Sequence, residues 1–106
     1  MKLVLKTGYE IPIINAFEQI WRNMKDDVTS PDFDKLVNVT VKSSSKITVN
    51  ELSEKLTNDA VSSFSIIEED SLSNPSYEGY ILRGITKSFE SDGTSKIRIE
   101  FIKQEQ

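Results

Sequence analysis

Apolar and polar positions along this chain alternate with two different periods, and the change of period marks its elements. Leu36 to Lys42 places Val37, Val39 and Val41 on one side, and the β-branching makes this the clearest strand. Ser95 to Lys103 repeats the pattern with Ile97, Ile99 and Phe101 against Lys96, Arg98 and Glu100. Between Ile85 and Ser91, Ile85, Lys87 and Phe89 alternate with Thr86, Ser88 and Glu90, and Asp92-Gly93 supplies a hairpin turn into the last strand. This hairpin is expected to be half-buried. Lys2 to Lys6 and Glu10 to Ile14 flank Thr7-Gly8 as a second hairpin, with Pro12 confining its second strand to an edge or a short run. Ser62 to Glu68 reads as a strand with Phe64 and Ile66 inward, and Tyr77 to Leu82 as another, with Gly79 and Gly84 allowing bends.

Two stretches switch to helical spacing. Thr48 can cap a helix, with Glu51 reaching back to it, and Val49, Leu52, Leu56 and Ala60 then fall on one side. Asn15 and Glu18 form a similar pair ahead of Phe17, Ile20, Trp21 and Met24, which predicts an amphipathic helix to about Lys25. That stripe either covers the sheet or meets a partner. Phe17, Trp21 and Met24 are therefore the candidate interface residues, with edge pairing through the C-terminal hairpin as the other route to contact. Asp26 to Asp34 reads as loop, with Ser30-Pro31 suited to a short helical turn, and Glu68 to Ser76 as an acidic loop. The strand–helix–strand unit from Leu36 to Glu68 fits either a right-handed crossover with parallel strands or an antiparallel placement about a third strand. The expected architecture is a single α+β domain across residues 1–106: a mostly antiparallel sheet of about six strands with two helices packed on it.

Composition changes this picture mainly by exclusion. A chain of 106 residues with 37% hydrophobic content can bury a core of its own, and it has no cysteine for a disulfide. The absence of histidine and cysteine removes thiolate nucleophiles, His-dependent triads and the usual zinc and haem ligand sets. No serine sits in a Gly-x-Ser-x-Gly setting and no glycine-rich phosphate loop is present. The expectation is a non-enzymatic protein without cofactor or metal. Asp26, Asp27, Asp32 and Asp34 could offer oxygen ligands to calcium, but they lack the glycine and terminal glutamate of an EF-hand loop. The apolar run after Met1 is too short for a secretory leader, and no segment is long enough to span a bilayer.

The net charge of −4 argues against nucleic acid, although Tyr77, Tyr80 and Phe89 near Arg83 and Lys87 could stack bases. Residues Arg83 to Lys103 carry +2, leaving −6 on the remainder, a polarity that would suit head-to-tail contact between copies.

Val39-Thr40-Val41, the helix Val49 to Leu56, Phe64-Ser65-Ile66-Ile67, Tyr77-Glu78-Gly79-Tyr80 and the closing Ile97 to Phe101 together resemble small accessory proteins of tail and baseplate gene clusters in phages and prophages of Gram-positive bacteria. The resemblance spans about Val37 to Lys103 and implies a non-enzymatic virion or assembly component, in the virion or the bacterial host cytoplasm. It would contact itself or a neighbouring phage structural protein, and no functional residue carries over. The other reading is a small acidic inhibitor of a host nucleic-acid-handling protein, acting through Asp26, Asp27, Asp32, Asp34, Glu68, Glu69 and Asp70.

Overall fold

A computed structural model of the chain describes residues 1–23, 32–44, 47–69 and 74–104, with the backbone alone at 21–23, 32 and 33. The fold is mostly β, which corrects the six-stranded α+β expectation. Among the described residues eight strands form two four-stranded antiparallel sheets, and two short helices accompany them. The short sheet is ordered β2 (Glu10–Pro12), β1 (Lys2–Leu5), β5 (Ser63–Ile67), β6 (Ser76–Glu78). The long sheet is ordered β3 (Asn15–Asn23), β4 (Asp32–Lys42), β8 (Ser95–Lys103), β7 (Tyr80–Phe89).

The chain passes from one sheet to the other at two corners. At the first, the Ile13 amide donates to the Met1 carbonyl (3.1 Å) while the next amide, Ile14, donates to Thr40 (2.8 Å). Consecutive residues thus bond to different sheets. At the second, Gly79 takes φ +79°, a conformation that disfavours any side chain. Its amide donates to the Ser62 carbonyl at the start of β5, and its carbonyl accepts from Gln104 just past β8, both at 2.8 Å. Strands that bend between sheets in this way close a two-layer core at its corners.

The alternating strands fill the space between the sheets as their pattern predicts. Val37, Val39, Val41, Ile97, Ile99 and Phe101 from the long sheet meet Leu3, Leu5, Phe64 and Ile66 from the short one. Phe64 holds the layers together. Its ring lies 4.6 Å from Phe101, 5.1 Å from Tyr77 and 5.6 Å from Tyr80 between centroids, spacings at which aromatic pairs add to plain burial. The Thr7-Gly8 and Asp92-Gly93 turns form where expected, each with its glycine at positive φ, and Asp92 accepts from both the amide and the hydroxyl of Thr94 (3.0 and 2.6 Å).

The capped helix also forms, but as two. In α1 (Val49–Lys55), the Thr48 hydroxyl accepts from the Glu51 amide at 3.2 Å. The helix stops at Leu56 because Thr57 starts a new one, α2 (Asn58–Val61), by accepting from the Ala60 amide. Leu52, Leu56, Ala60 and Val61 all join the core. The unit Leu36 to Glu68 is not a crossover within one sheet, as both expected placements had it. Its strands β4 and β5 belong to different sheets, so the helices bridge the layers.

Candidate functional site

The segment expected as the first helix is the edge strand β3. Its Phe17, Ile20, Trp21 spacing fits a helix, yet an isolated helix of about ten residues is marginal in water, and aromatic and β-branched residues suit a strand equally well. The eleven-residue β4 beside it decides the matter, because β3 satisfies its outer row of backbone groups from Asn15↔Thr40 to Asn23↔Asp32. Phe17 and Trp21 stand four residues apart along the strand. Met24 lies outside the described residues, as does the Trp21 side chain. Asp32 and Asp34, expected in a loop, belong to β4 instead. Ser30-Pro31 falls outside the described residues, as do Asp26, Asp27 and Asp70 from the acidic set.

On the outer face of the long sheet, opposite the core, Phe17 lies under the Arg98 guanidinium at 5.5 Å from the ring centre. Arg98 Nη2 donates to Asn38 Oδ1 (3.3 Å), and Asn38 Nδ2 donates to Gln19 Oε1 (3.4 Å). Asn38 is fully buried on this outward side, so those bonds satisfy an amide that its own strand neighbours and their side chains cover. Among the described residues no buried side-chain polar atom lacks a partner, and no three acids cluster as metal ligands.

The long sheet also carries apolar side chains into solvent. Ile14, Phe17, Ile20 and Phe89 are all exposed, Phe89 to 79% of its surface. The hairpin of β7 and β8 is not half-buried along its length, as its alternation suggested. From Thr86 to Glu90 every residue of the outgoing strand is exposed, because the short sheet has ended and nothing lies beneath the inward positions. A radius of gyration of 15.0 Å, against about 13 Å for a compact chain of this size, reflects such projections.

Between the two sheets lie two gaps of different character. One is filled: α1 and α2 pack against β7 and α2 against β5, with the Lys6 amide donating to Ala60 and Lys55 Nζ sitting 5.2 Å from the Tyr9 ring centre. The other stays open as a groove of about 330 Å³ where β3 passes the ends of β5 and β6. Met1, Ala16, Ile66, Pro75 and Tyr77 give it apolar walls, and Glu18 and Glu68 stand on it. Among the described residues a single side-chain bond crosses here, from the Tyr77 hydroxyl to Glu18 Oε1 at 2.6 Å. Burial first, and then this bond to a carboxylate, push the Tyr77 ionisation well above the usual phenol range. Burial and Glu18 raise Tyr80 as well.

Sequence reasoning missed this groove, since Glu18 and Tyr77 stand far apart in the chain and nothing local pairs them. It also missed the exposure of Phe89, although the closeness of that residue to the Asp92-Gly93 turn was a usable signal.

No protein-family profile matches the chain, and no curated protein matches it. Among solved structures, the fold is similar to that of Hcp1 from Flavobacterium johnsoniae, with a TM-score of 0.54 over 94% of this chain and 86% of that one. The two sequences are 15% identical, so the likeness is one of fold.

Proposed function

We propose that this chain is a non-enzymatic structural or assembly protein of the phage-tail type, acting through protein–protein contacts that include contacts between its own copies. The observation that carries the reading is the excess of the long sheet over the short one. Strands of nine to eleven residues run past partners of three to five, and the overhang presents Ile20 and Phe89 to solvent, while Phe17 lies exposed on the outer face. Exposed apolar side chains on edge strands are a hazard for a protein that works alone and an asset for one that assembles. The Hcp1-like fold and the pattern shared with tail and baseplate accessory proteins support the same reading. Such a component works in the virion or in the host cytoplasm.

Contact is carried by the β3 edge, including Phe17 and the Trp21 position, and by the distal β7–β8 hairpin. Sedimentation velocity across a wide concentration range tests the proposal. Reversible association, or complexes with the products of adjacent genes, is expected. A strictly monomeric species at the highest concentration that binds none of those products overturns it.

A further inference from the structure

We infer that the open groove takes the Phe89 side chain of a second copy of this chain, with Lys87 of that copy meeting Glu68 at the rim. The inference rests on the self-association proposed above and names its contact. Phe89 stands at the end of β7, paired with Ser95 and followed at once by a tight turn in which Glu90 donates to Thr94 and Gly93 to Glu90 (2.8 and 3.1 Å). The backbone that carries the ring is therefore held by the pairing and the turn, and a strand end ordered before contact loses little freedom on docking. Its one partner at hand is Lys87, whose Nζ lies 5.4 Å from the ring centre and meets no carboxylate among the described residues.

The groove is complementary in shape and sign. Its walls are apolar and of a size for an aromatic side chain, and Glu18 and Glu68 make it negative where the hairpin brings a cation. The opposite gap shows what such a space takes, since there Leu52 and Leu56 from the helices fill it. The same copy cannot supply the ring. In its own sheet β7 stands three strand positions from β3, about 14 Å at the usual spacing, and strand pairing holds it there. Donor and acceptor surfaces thus differ, which makes the contact heterologous and able to build a ring or an open filament.

The chain lacks cysteine, so introduced thiols report without background. Mixing chains carrying Ala16→Cys with chains carrying Ser91→Cys, which keeps the Phe89 ring in place, is expected under mild oxidation to give the mixed disulfide in preference to either symmetric one. Phe89→Ser is expected to weaken association about thirtyfold or more, as loss of a buried aromatic anchor does, with an unchanged circular dichroism spectrum. Lys87→Glu and Glu68→Lys should each weaken it, and mixing the two variants should restore it. Wild-type assembly that survives Phe89→Ser, or that forms without the mixed disulfide, overturns this contact and leaves the broader reading standing. A wild-type chain that never associates overturns both.

Discussion

The two gaps between the sheets differ in what occupies them. In the gap beside β7, the chain spends Val49 to Val61 on two capped helices whose apolar residues complete the core. In the gap beside β3, it leaves a groove crossed by one phenol–carboxylate bond. The first gap is closed by the fold itself, and the second stays open. Stability should therefore depend on the residues of the first and be indifferent to most residues of the second.

Substitutions can break that contrast. The largest effect is expected from Leu52→Ala, which removes the one fully buried side chain of α1. It should cost about 2–5 kcal/mol and lower the urea midpoint accordingly. Thr48→Ala deletes the cap that accepts from the Glu51 amide and should cost about 1 kcal/mol, read in the same titration. Tyr77→Phe tests the open side. Losing its bond to Glu18 should cost about 0.5–1.5 kcal/mol, less than Leu52→Ala by a clear margin.

The Tyr77 ionisation gives the same comparison a pH axis. Its raised folded-state value means that its stabilisation is complete below the unfolded phenol value of about 10 and is lost as pH climbs through the folded value. Alkaline titration of stability should show a decline beginning near pH 10, and Tyr77→Phe should reduce it, leaving the part that Tyr80 contributes. Smallest of all, Ile20→Lys at an exposed β3 position should change stability by no more than about 0.5 kcal/mol. A drop as large as that of Leu52→Ala would show that the overhang is structural, and the distinction between the two sides would fall.

Much of this arrangement was legible beforehand. The inward sets Val37, Val39, Val41 and Ile97, Ile99, Phe101 are strict alternations, and a period of two has one meaning when one face is buried. Thr48 with Glu51, and Asp92 with Gly93, are local chemistry that needs no partner to be recognised. The β3 segment failed because Phe17, Ile20, Trp21 and Met24 fit the helical period, whereas the strand depends on pairing with the long β4, which no local pattern reveals. The number of sheets failed for a related reason. Apolar residues continue through Ile13-Ile14 and through Tyr80-Ile81-Leu82, so a strand that changes layers looks like one that does not. As for the candidate site, Phe17 was expected on a helix, either covering the sheet or meeting a partner, and it lies exposed on a strand, whereas Glu18 and Tyr77 meet only through the closing of the sheets.

The glycine corner has a consequence for how this gene can vary. Because residue 79 bonds to both layers, the spacing between Tyr77 and Tyr80 is as constrained as the identity of the glycine. One residue added there would force either β6 or β7 to slip by one, turning the interior side chains of that strand outward. Insertions in a lineage of such chains should instead collect at the Asp92-Gly93 tip, where extra length disturbs no layer.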